Sequence, residues 1–146
     1  MGAAQFPAYR LHNRAMSGDV IDGLQLALRV VLAVVFIGAG ITHFLPSVQR
    51  TMTAMIPPRL RTAGWANPTN LVLFTGVCEL AGGFGLLYPP TMLLAAGALV
   101  LFLAAVFPAN AYAARHKKRF GRIAIPFVPR LIAQLVLMLL IVLAVL

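Results

Sequence analysis

The chain has 146 residues, of which 61% are hydrophobic and only 10% charged, and its mean hydropathy is +0.91. Ordinary globular domains carry about 25% charged residues, so a soluble domain of this size is excluded: each apolar run must face lipid or another apolar run. The net charge of +9 does not point to nucleic acid, because the cations cluster in two segments between apolar runs and no aromatic-interleaved basic face accompanies them.

At about 20 residues per span the length accommodates about four transmembrane helices and no separate soluble domain. Residues 1–23 read as a mostly polar extramembrane tail carrying Arg10, Arg14, Asp19 and Asp22, with Ser17 or Asp19 placed to cap the first helix. The first span is predicted over residues 24–45 and ends at Pro46. It is too long for a signal-peptide core and lacks a small-residue cleavage site, so it is expected to be retained. In the connection 46–68, Pro57, Pro58, Gly64 and Pro68 are expected to break any regular helix. The second span is predicted over 69–87, followed by the turn Tyr88-Pro89-Pro90 and a third span over 91–109, kinked or terminated by Pro108. The fourth is predicted over 130–146, at about 17 residues the short end of the spanning range. The fold class expected is therefore all-α integral membrane, a four-transmembrane-helix antiparallel bundle over residues 24–146. Gly38, Gly40, Gly76, Gly82, Gly83 and Gly85 suit close approach of membrane helices.

Four spans put connections 46–68 and 109–130 on one side. They carry Arg50, Arg59, Arg61, Arg115, Lys117, Lys118, Arg119, Arg122 and Arg130, against Arg10 and Arg14 opposite. The positive-inside rule places both basic connections in the cytoplasm and both termini outside. The segment Arg115–Arg119 is suited to anionic lipid headgroups.

Glu79 is one of only three acidic residues and stands near the middle of the second span. A carboxylate at the bilayer midplane is costly, and such residues are rare without a partner or a task. From the helix rise, Glu79 is expected ~15 Å deep, His43 ~3 Å and Gln134 ~6 Å from the cytoplasmic edge, with Asn110 at that edge. Thr75 lies one turn from Glu79 on the same face. Arg29, near the outer end of the first span, either snorkels outward or reaches towards Glu79.

This distribution predicts a polar half-pocket opening to the cytoplasmic leaflet, with Glu79 at its floor and His43 at its mouth. Glu79, His43, Thr75, Asn110, Gln134 and Arg130 are the candidates for ligand binding or proton relay. The competing reading is an interhelical hydrogen-bond cluster that fixes helix packing. Cys78 points about 100° away from Glu79 around the helix and reads as a small buried hydrophobe. As the single cysteine it excludes an internal disulfide, a Cys-based zinc site and a dithiol cycle. His12, His43 and His116 are isolated in different segments, which predicts no metal site. With no haem-attachment motif, Gly-rich phosphate loop or nucleophile elbow, no covalently bound cofactor is expected.

The ordered motifs resemble the DoxX family of small four-helix membrane proteins. Thr42-His43-Phe44 followed by Pro46 is similar to that family's first-span ending, and Met55-Ile56-Pro57-Pro58 to its loop motif. Thr75-Gly76-Val77 with Glu79-Leu80, Gly82-Gly83 and Gly85-Leu86-Leu87 resembles its second span, and Val106-Phe107-Pro108-Ala109-Asn110 with Ala113 its third-span ending. Arg130-Leu131 and Gln134 resemble an Arg-Leu-Pro-x-Gln start of the fourth span, although Ile132 replaces the proline and the aromatic expected before the arginine is absent. The resemblance covers about residues 24–146 and implies a bacterial plasma membrane protein. It also implies association with redox enzymes or membrane-protein assembly, since the family is named for a subunit of a thiosulfate:quinone oxidoreductase.

Two functions are thereby expected to compete. One is an accessory subunit of a membrane redox system, at most a subunit of a quinone-linked oxidoreductase, whose half-pocket binds quinone or a lipid-like ligand. The other is a non-catalytic scaffold or assembly factor that acts through a protein partner or as a homo-oligomer. Proton-coupled transport is disfavoured, because the paired broken helices of many transporters are missing.

Overall fold

Proline sets most of the helix boundaries. The computed structural model describes residues 5–61, 63–116 and 125–146, with backbone only for residues 5–17 and 65. Helix α1 (Gln5–Thr42) ends in successive i→i−3 bonds, from His43 to Gly40, Phe44 to Ile41 and Leu45 to Thr42. This tightening satisfies terminal carbonyls. Leu45 is extended ahead of Pro46, as the residue before a proline prefers. Pro46 then occupies the first turn of α2 (Pro46–Met55), where its missing N–H costs nothing. Two short 3-10 turns, Pro58–Leu60 and Gly64–Ala66, lead to α3 (Pro68–Leu87). The N-terminus of α3 is capped by Asn67, whose side-chain oxygen accepts from the Asn70 N–H at 2.9 Å. Thr91 closes the α3–α4 turn by donating its hydroxyl to the Gly85 and Tyr88 carbonyls, and α4 covers Met92–Arg115. The last helix, α5, covers Phe127–Leu143.

Among the described residues the protein is all-helical. Three helices are long and apolar enough to cross a membrane: the Gly18–Thr42 part of α1, α3 and α4; α5 is a shorter apolar helix of 17 residues. Their outer faces are apolar too, with Leu94 76% and Leu101 73% exposed, the inverse of a soluble surface.

Several expectations need correction. The residues before 24 continue α1 back to Gln5, so Ser17 and Asp19 lie inside a helix rather than capping one, and α1 stops at Thr42, short of Leu45. The connection 46–68 contains a regular helix, α2, because Pro46 opens it and Pro57 only ends it. Pro108 does not terminate the third helix, which continues to Arg115; neighbouring helices can resupply a proline-interrupted ladder. The last helix starts at Phe127, three residues early. Lys117, Lys118, Arg119 and Arg122 lie outside the described residues.

Helix α3 is the hub. On one side a methyl group at Gly76 would stand 2.7 Å from His43 Cβ, and one at Gly83 would stand 2.8 Å from Ile37 of α1. On another side Gly82 is seated against Leu99 and Gly85 against Ala95 of α4. The absent Cβ atoms let three helix backbones converge, the device expected where helices pack without water to drive them. Leu32 and Phe36 of α1, Leu86 of α3, Leu99 and Leu103 of α4 and Ile141 of α5 form one buried cluster, which closes the bundle two to three turns from His43. At the opposite end, Ala54 and Met55 of α2 pack with Tyr112 around the buried Ala113 of α4.

Candidate functional site: an embedded His–Glu pair

The tightened end of α1 creates the first part of the site. The His43 N–H turns to Gly40, so the Ala39 carbonyl loses its usual helical donor. Two side chains replace it: the Thr42 hydroxyl at 2.6 Å and His43 Nδ1 at 3.0 Å. A carbonyl oxygen only accepts, so this contact makes Nδ1 the protonated ring nitrogen.

Glu79 Oε2 lies 3.2 Å from the same Nδ1, and the two side chains are only 9% and 13% exposed. Oε2 is buried but makes no hydrogen bond, because the Nδ1 hydrogen is directed at Ala39. The pair is therefore a short electrostatic contact with one carboxylate oxygen left over. In the alternative tautomer Nδ1 would be an acceptor, and a protonated Glu79 would donate to it, at the expense of the Ala39 bond. The tautomer of His43 thus decides which helix its Nδ1 is bonded to.

This geometry overturns the expected depths. His43 was placed at the mouth and Glu79 at the floor of a pocket, whereas the structure puts them side by side. Gly76 seats the His43 Cβ, which sets the end of α1 against the middle of α3. The His43 side chain then points back along α1 towards Ala39, as helical side chains do. Thr75 lies one turn from Glu79 on α3, but its hydroxyl donates to the Val72 carbonyl of its own helix at 2.8 Å.

Asn110, Arg130 and Gln134 belong to a second group, between α4 and α5. Arg130 Nη1 donates to Asn110 Oδ1 at 2.7 Å, and Gln134 Nε2 donates to the Leu103 carbonyl at 3.0 Å, just ahead of the turn that Pro108 interrupts. Arg29 does not reach Glu79: its Nη1 donates to Met92 Sδ at 2.7 Å, at the start of α4. Cys78 faces away from Glu79 as expected, into an apolar groove of about 370 Å³ between α3 and α4. Sequence reasoning missed Thr42, Ala39 and Gly76 as parts of the site. Thr42 is legible only once α1 is known to end there, since a terminal Thr is well placed to bond a freed carbonyl.

No curated protein and no solved structure is significantly similar to the chain. A family model, described as a domain of unknown function (DUF8561), matches residues 32–145. That stretch contains both polar groups and every helix from the middle of α1 to the end of α5. The chain belongs to the DUF8561 family.

Proposed function

We propose that the protein is a DoxX-like, multi-pass plasma membrane protein that serves as an accessory subunit, holding or assembling a membrane complex rather than performing chemistry alone. In this reading the basic connections 46–68 and 109–130 face the cytoplasm, where they meet anionic lipids, both termini lie outside, and α5 is the fourth span. The observation that carries the accessory role is the use made of the polar side chains. Gln134, Arg130 and Asn110 tie α4 to α5, and His43 is held between the Ala39 carbonyl and Glu79. Polar ties of this kind give a small bundle a fixed shape to present to a partner helix.

A second reading is favoured by one specific observation, the buried Glu79 Oε2 that has no hydrogen bond. An accessory subunit of a quinone-linked redox system would offer that group, as the acid to a carbonyl or as the carboxylate to a hydroxyl of a quinone or similar lipid-soluble carrier.

Glu79→Gln separates the two. The protein would be purified in mild detergent, with co-eluting lipids and proteins identified by mass spectrometry. For the scaffold, the substitution lowers thermal stability or partner recovery and changes no ligand. A stoichiometric quinone that disappears in folded Glu79→Gln protein would overturn the scaffold in favour of the redox subunit.

A further inference from the structure

Arg59, in the turn Pro58–Leu60, and Arg115 and His116, at the end of α4, line one cavity of about 470 Å³ whose walls include Pro57 and Pro108. The two prolines fix the backbone on either side, so the cations are carried on preset supports. Arg115 lies 6.0 Å above the Phe127 ring. Stacking on a ring face leaves the in-plane N–H edges of a guanidinium available. His116 Nδ1 is bonded to the Tyr112 carbonyl at 2.8 Å, and its ring lies 4.1 Å from that of Tyr112. That bond fixes the imidazole and leaves Nε2 as the ring nitrogen for a ligand.

Among the described residues no acidic side chain lines this cavity. Of the chain's three acidic residues, Asp19 and Asp22 lie in the N-terminal half of α1, and Glu79 is embedded beside His43. Nor are the arginines of this end equivalent. Arg61 is used internally, donating to the Ile56 and Ala54 carbonyls at the end of α2, whereas Arg59 and Arg115 are both exposed. The carbonyls at the C-terminus of α4 offset part of the Arg115 charge, and Arg59, on a separate turn, supplies the surplus. The two guanidinium groups form a donor set matched to phosphate oxygens, and His116 Nε2 adds a third donor in the imidazolium form, or accepts from a protonated phosphate in the neutral one. The cavity opens where α4 ends, the level at which a spanning helix meets headgroups.

We propose that this cavity is a phosphate-binding site whose ligand is the headgroup of an anionic lipid. The inference rests on the membrane placement proposed above and is independent of His43 and Glu79. The test uses the full-length protein, extracted in mild detergent, reconstituted with equal phosphatidylglycerol and phosphatidylcholine, and examined by native mass spectrometry. One phosphatidylglycerol is expected to be retained in preference to phosphatidylcholine. Arg59→Gln should lower that retention about fivefold, the worth of one cation near an anionic headgroup, and Arg115→Gln should do the same. Arg50→Gln, on α2, removes the same charge outside the cavity and should change retention less than about twofold.

Equal losses from Arg50→Gln and Arg59→Gln, or none from Arg59→Gln, overturn the site in favour of diffuse attraction. Arg59 is exposed in the short turn Pro58–Leu60, outside the long helices, so its substitution keeps the test valid even where Arg115→Gln fails to fold. Excess inorganic phosphate distinguishes the source. Displacement of the lipid with the same dependence on Arg59 supports the phosphate site with a soluble ligand, and lipid retention unaffected by phosphate supports the headgroup. Release of the protein from membranes by alkaline carbonate would instead overturn the membrane placement itself.

Discussion

His43 Nδ1 and Glu79 Oε2 stand 3.2 Å apart across the α1–α3 interface, although one residue follows the end of its helix and the other sits mid-helix. Contacts between ionisable groups in a low-dielectric interior should be energetically coupled. In a double-mutant cycle, His43→Ala and Glu79→Gln are expected to lose stability non-additively, with a coupling of about 0.5–2 kcal/mol. Denaturation in mild detergent measures this; additivity within about 0.3 kcal/mol would mean that the two side chains do not interact.

Glycines of the same bundle should differ sharply in tolerance. Gly76→Ala forces a methyl group towards His43 Cβ and the Gly40 carbonyl and should cost about 1–3 kcal/mol by overpacking. Gly38→Ala and Gly97→Ala meet nothing within 4 Å and should be neutral or gain up to about 1 kcal/mol from helix propensity. Thermal midpoints of the three variants give the order directly, and a reversed order is incompatible with the α1–α3 contact described above.

The α4–α5 tie gives a third expectation. Asn110→Ala removes the acceptor 2.7 Å from Arg130 Nη1, and Gln134→Leu removes the donor to the Leu103 carbonyl. Each should cost about 0.6–1.7 kcal/mol, the range for hydrogen bonds between membrane helices. Hydrogen exchange should rise chiefly in α5, a short apolar helix of 17 residues; a uniform rise over all helices would argue against a local tie.

Orientation can be read chemically. After Cys78→Ser, a cysteine at Lys117 should react with an impermeant maleimide only from the cytoplasmic side, and one at Tyr88, exposed in the α3–α4 turn, only from the opposite side. Labelling of both from one side would remove α4 as a spanning helix.

Much of the architecture was legible because long, mostly apolar runs bounded by proline and polar residues mark helices by their length alone. α3 is the best example, predicted over 69–87 and found at Pro68–Leu87. Errors arose where one residue type carries two meanings. Proline is expected to end the first span at Pro46 and to kink or terminate the third at Pro108, yet Pro46 also starts α2 and α4 continues past Pro108 to Arg115. The His43–Glu79 contact was missed for a different reason. Depth counted separately along each helix assumes that all helices begin at a common plane, and nothing in a sequence fixes the axial offset between two helices. Here that offset is set by Gly76 receiving His43. Asn110, Arg130 and Gln134 were recognised as displaced polar residues, but their grouping between α4 and α5 depends on packing that only the fold reveals.

The glycine seats of α3 also act as a vernier. Gly76 and Gly83 are two turns apart and receive matching turns of α1, at His43 and at Ile37. If α1 slid by a single turn, His43 would be carried onto Leu80 and away from Glu79. No intermediate position offers two empty seats at once, so the interface admits one setting. Any partner or ligand that moved α1 would have to lift it clear of α3 rather than slide it.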